Sequence, residues 1–119
     1  MSYVDGFLLP VRKDRLKAYR RMAVWGRRTW MKHGALDYKE CVGDDLGAKW
    51  AMPYPRLLKL KKGETVVFAF IVFKSRAHRD RVNARVMKEM ESSKEKMPAE
   101  MPFDVKRMGY GGFQTIVGK

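Results

Sequence analysis

A chain of 119 residues with 45% hydrophobic side chains has the length of one domain and enough apolar material for a core, so residues 1–119 read as a single folded unit. No apolar run approaches the roughly 18 residues of a membrane span, and no basic-then-apolar leader opens the chain, which predicts a cytoplasmic protein with no membrane partner. A single cysteine excludes an internal disulfide and a cysteine metal cluster, while 26 basic against 13 acidic residues leave a charge of +13 that predicts attraction to polyanions.

Tyr3 to Val11 reads as a strand. Asp14 can cap a helix, and Leu16, Tyr19, Ala23, Gly26 and Trp30 then recur at three- and four-residue spacing as one apolar stripe, ending near His33 with Gly34 at the C-terminal glycine position. Ala35 to Val42 alternates: Leu36, Tyr38, Glu40 and Val42 share one face, Asp37, Lys39 and Cys41 the other. Gly43 to Tyr54 is a loop, Arg56 to Leu60 a short strand, and Lys62-Gly63-Glu64 a turn. Thr65 to Lys74 is the strongest strand signal and is apolar on both faces. Ser75 caps a second helix with Ala77, Val82, Val86 and Met90 inward, Ser92 to Pro102 is a loop, and Arg107 to Val117 is a final strand.

The order strand, helix, strand, strand, helix, strand predicts an α+β, ferredoxin-like βαββαβ fold with an antiparallel sheet. Helices cover one face of such a sheet, so a strand apolar on both sides needs a second cover; a partner copy is the simplest, which predicts a homodimer.

Several segments are similar to the YbaA-like family, a bacterial family of unknown function. They are Tyr3-Val4-Asp5-Gly6-Phe7, Gly34-Ala35-Leu36 with Glu40-Cys41, Asp44-Asp45, Glu64 to Phe68, and Met101-Pro102-Phe103-Asp104 with Lys106-Arg107-Met108 and Tyr110-Gly111-Gly112-Phe113. The resemblance covers nearly the whole chain. It implies a dimeric α/β barrel, in which two ferredoxin-like sheets pack face to face, and it implies no particular reaction.

Glu40 is the leading candidate for chemistry. Its alternation partners are apolar or aromatic, and a carboxylate on such a face suits general acid–base work, a buried ion pair being the structural alternative. His78 falls in the first turn of the second helix, where the helix dipole favours a neutral ring able to accept a proton. His33 ends the first helix. Trp50 and Tyr54 are loop-borne candidates for ligand walls, and Arg107, beside Asp104 and Lys106, for an anion contact or an ion-pair network. Two histidines without ligand spacing make no metal site, and no cofactor is expected.

The charge is concentrated: Arg12 to Lys32 holds nine cations and one anion, Asp14. Lys17, Arg20, Arg27 and Arg28 would be the phosphate contacts of a nucleic-acid-binding helix. Three functions are thus open: a small-molecule pocket near Glu40 and His78, a nucleic-acid accessory protein, or a dimeric structural or regulatory module.

Overall fold

The computed structural model describes residues 1–92 and 101–118. It is an α+β fold with four antiparallel strands and three helices. Strand β1 (Tyr3–Arg12) leads through a 3₁₀ turn (Lys13–Arg15) into α1 (Leu16–Lys32), followed by β2 (Asp37–Val42), the short α2 (Tyr54–Leu57), β3 (Glu64–Phe73), α3 (Arg76–Ser92), a second 3₁₀ turn (Val105–Arg107) and β4 (Gly109–Gln114). The sheet order is β2-β3-β1-β4. The two central strands are the long ones, because their β-branched and aromatic residues suit a pleated surface flanked on both sides.

Register decides which side chains meet the helices. Leu9 pairs with Val67, Phe7 with Ala69 and Asp5 with Ile71, so these odd-numbered residues share one face. On that face Leu9, Val11 and Val67 pack with Tyr19 and Ala23 of α1, while Ile71 and Phe73 pack with Val82 and Val86 of α3. Both long helices therefore cover the same face. They are tied together where the Trp30 indole N–H donates to Asn83 Oδ1 at 3.0 Å.

The opposite face carries Val4, Leu8, Phe68, Phe70, Val72 and Phe113. It is apolar along β1, β3 and β4, carries Asp37 and Lys39 at the β2 edge, and is incompletely covered: Phe68 is 44% and Phe113 60% exposed. Among the described residues no helix is long and apolar enough to cross a membrane.

Helix ends follow local chemistry. Gly34 has φ +112°, a left-handed conformation that glycine adopts without steric cost, and it turns the chain from α1 toward β2. Ser75 Oγ accepts the His78 backbone N–H at 3.1 Å and caps α3.

Four local expectations are corrected. Residues 56–60 do not form a strand: Pro53 and Pro55 cannot donate to a ladder but suit the start of a helix, and α2 forms. Asp14 caps no helix, because Arg12 holds its carboxylate through Nε at 3.0 Å and Nη2 at 2.7 Å. On α3 the inward positions are His78, Val82 and Val86, spaced by four, and Ala77 is exposed. The last strand is shorter than Arg107 to Val117, since Asp104 accepts the Lys106 N–H at 3.0 Å and curls the preceding residues into the second 3₁₀ turn. Most of the loop expected at Ser92 to Pro102 lies outside the described residues.

Candidate functional site

Strand β2 places Glu40 opposite Ala69 and Tyr38 opposite Ile71, which sends both side chains to the helix-covered face. There Tyr19 of α1 donates its hydroxyl to Glu40 Oε1 at 2.5 Å, and Tyr38 donates to Oε2 at 2.7 Å. Burial pushes both phenols far above their ordinary range, and the adjacent Glu40 charge pushes the same way. Both tyrosines therefore stay protonated and act as neutral donors. Among the described residues Glu40 forms no ion pair, although cations outnumber anions two to one in the chain.

A cavity of about 460 Å³ opens beside this carboxylate, within the size range of small-molecule sites. Phe7, Leu9, Ala69 and Ile71 of the sheet form its floor. Trp25 and Trp30 of α1, Met87 and Met90 of α3, and Phe103 and Met108 form its walls. Glu40 is the one charged side chain among the described residues lining it. A smaller cleft of about 270 Å³ also includes Glu40, with Leu16, Arg20 and Val42 among its lining.

Gly26 explains how helix and tyrosine fit together. A Cβ built there meets Tyr38 Oη at 2.7 Å, closer than real side chains approach. Gly26→Ala should destabilise the fold by about 1–2 kcal/mol in urea denaturation, overpacking against Tyr38 outweighing the helix-propensity gain of alanine. The same substitution should loosen the Tyr38–Glu40 hydrogen bond. Stabilisation by Gly26→Ala would mean that Tyr38 yields freely.

The other candidates lie apart from Glu40. His78 does not line its cavity. The His78 ring is buried against Phe73 at 5.9 Å between centroids, and Nδ1 accepts the Lys74 backbone N–H at 3.0 Å, so the structure does not bring the two proposed catalytic residues together. His33 Nε2 lies 3.0 Å from Glu89 Oε1, which also binds Lys32 at 2.7 Å. Trp50 is 90% exposed and Tyr54 sits in α2; neither lines the cavity. Arg107 is held by Glu64 in a two-pronged pair at 2.7 and 3.0 Å, which draws the Glu64 carboxyl below its usual range. Arg107 lines a separate polar cleft of about 490 Å³ with Arg12, Lys61 and Asp104. Cys41 is exposed on the other face of the sheet, opposite Phe68.

His78 carries a pH prediction. Burial lowers its pKa below the ordinary 6.5, and nearby Lys74, Arg81 and Arg85 push the same way. The folded ring therefore resists a proton that the unfolded ring accepts. This contribution to stability is intact above about pH 6.5 and is lost as pH falls through the depressed value. Urea midpoints at pH 7 and pH 5.5 should differ less in His78→Asn than in the wild type; an equal difference would remove His78 as the cause.

Lys17, Arg20, Arg27 and Arg28 are all exposed on α1. Among the described residues no cluster of three potential metal ligands exists.

A buried charged group escaped sequence reasoning. Asp5, 1% exposed, accepts from Arg79 Nη1 at 2.7 Å; the same nitrogen donates to Tyr110 Oη at 2.8 Å, and the guanidinium lies over the Tyr3 ring at 5.0 Å. The available signal was Asp5 itself, a charge among Phe7, Leu9 and Val11 in alternation. Its partner stands 74 residues away on the mostly polar α3 and leaves no local signature.

The chain is similar in sequence to known proteins along nearly its whole length. The "Uncharacterized protein YbaA" of Escherichia coli (strain K12) is 36% identical over 117 residues, covering 98% of each chain, and the protein of the same description from Shigella flexneri matches equally. Among solved structures, "De novo designed protein Foldit4" aligns over 97% of this chain and 99% of its own, with 10% identity and a TM-score of 0.47. Residues 2–105 match the family described as "Protein of unknown function (DUF1428)", and together with the YbaA relatives this places the chain in that family, of the YbaA-like type.

Proposed function

We propose that the protein binds a small, largely apolar molecule in the cavity beside Glu40, within a homodimeric, ferredoxin-like α/β barrel. The observation that carries the binding reading is a cavity of about 460 Å³ with apolar walls and one carboxylate held by two phenols. An apolar space with a few convergent polar groups is the usual form of a ligand site. The strand order β2-β3-β1-β4 with both long helices on one face supports the ferredoxin-like reading. The exposed Phe68 and Phe113 on the other face support a second copy as its cover.

The test uses the neutral dye N-phenyl-1-naphthylamine, which fluoresces in apolar surroundings. Wild-type protein should bind it saturably. Ala69→Leu, which fills the cavity floor opposite Glu40, should weaken binding at least about tenfold, because the added side chain occupies the ligand's space. Unchanged binding by Ala69→Leu would remove the cavity as the site.

The exposed stripe of Lys17, Arg20, Arg27 and Arg28 favours a second reading, in which α1 lies on nucleic-acid phosphates. Binding of this kind falls steeply with salt. An RNA or DNA oligomer that binds equally at 50 and 200 mM salt, or not at all at 50 mM, would dismiss it.

A further inference from the structure

We propose that the ligand of the Glu40 cavity is an organic cation, an ammonium group on an aromatic or branched apolar body; this rests on the cavity reading above. The first argument is the company Glu40 keeps. The carboxylates of Asp5, Glu64 and Glu89 each sit against an arginine or lysine at 2.7 Å. Glu40 sits against two neutral phenols instead, and Arg20, which lines the smaller cleft with it, forms no ion pair with it. In a chain of net charge +13, a carboxylate that meets no cation among the described residues at a cavity wall is a place where the ligand supplies one.

The second argument is valence. A carboxylate offers about four lone-pair directions. Tyr19 and Tyr38 use one on each oxygen, which leaves acceptors but no donor directed at the cavity from Glu40. An ammonium brings donors and opposite charge together. A carboxylate or phosphate ligand would bring further acceptors and repulsion, with no lysine, arginine or histidine among the described lining residues to offset them.

The third argument is the wall. Trp25, Trp30, Phe7 and Phe103 line the same cavity. Aromatic faces attract cations through the ring quadrupole, most strongly where water is excluded. A cation bound by Glu40 would rest among these rings while its apolar body displaces water from the floor.

Three probes of one shape test this: 2-phenylethylammonium, 2-phenylethanol and 3-phenylpropionate, each competed against bound N-phenyl-1-naphthylamine. The ammonium should displace the dye about 10- to 100-fold more strongly than the alcohol, the range expected for a charged over a neutral hydrogen bond, and the carboxylate should be the weakest. Glu40→Gln should remove most of the ammonium's advantage over the alcohol, each displacement being measured against that variant's own dye affinity. Equal displacement by ammonium and alcohol, stronger displacement by the carboxylate, or an ammonium preference unchanged in Glu40→Gln would each overturn the cation inference and leave the cavity reading standing. The probe series on wild-type protein decides the question even where Glu40→Gln folds poorly. Failure of the dye to bind at all, or its indifference to Ala69→Leu, would instead remove the cavity reading beneath it.

Discussion

Asp5→Asn should destabilise the fold by about 3–5 kcal/mol, the cost of breaking a buried pair by removing one charge. The side chain of Asp5 is 2% exposed and that of Arg79 13%, so neither is well placed to recover its hydration when the other is lost. Arg79 would keep Tyr110 and the exposed Asp80, but these replace only part of what the Asp5 carboxylate supplies. The substitution leaves a neutral amide whose one oxygen can still accept from Arg79 but carries no charge to offset the guanidinium. Urea denaturation measures the loss. The double variant Asp5→Asn, Arg79→Met should cost less than the sum of its parts by about 0.5–3 kcal/mol, the range for groups in direct contact. Additive costs would mean that the pair is coincidental and that each residue acts through its own packing.

Phe68→Glu should turn the proposed dimer into a monomer while leaving the fold intact. Phe68 is 44% exposed in the single chain, on the sheet face away from the helices, so a glutamate there stays hydrated in the monomer. Once a second sheet packs on that face, the carboxylate is buried beside Leu8 and Phe70, and the cation on that face beside Phe70, Lys39, is already paired with Asp37. Burying an unpaired charge costs several kcal/mol, and each 1.4 kcal/mol is about tenfold in affinity, so dimerisation should weaken at least about 100-fold. Native mass spectrometry of both proteins at the same concentration reads the result. A dimer that survives Phe68→Glu would place the interface elsewhere, and a monomeric wild type would remove the dimer.

Much of the architecture was legible in the chain because the two periodicities differ. The spacing of Tyr19, Ala23 and Gly26 reads as a helix and the β-branched, aromatic run of residues 65–73 as a strand, and the structure has both. Residues 56–60 do not make a strand because Leu57, Leu58 and Leu60 hold no two-residue period, and the two prolines just before them are the better evidence. Ala77 was misassigned because hydrophobicity alone prefers it to His78. The four-residue spacing to Val82 and Val86 puts the imidazole inward, where a backbone N–H satisfies it.

The two long helices, the four main strands, the face of β2 that Glu40 shares with Tyr38, the concentration of cations on α1 and the membership in a YbaA-like family could all be read along the chain. These depend on neighbours a few residues apart, where periodicity, charge and motif are directly visible. Only the tertiary structure decided what Glu40 meets. Tyr19 comes from 21 residues away, and the cavity walls come from the sheet, both long helices and the segment before β4. The separation of His78 from that cavity, and the pairing of Asp5 with Arg79 and Glu64 with Arg107, were decided in the same way. A buried charge announces itself along a strand by breaking an apolar pattern, but its partner is chosen by packing between distant elements.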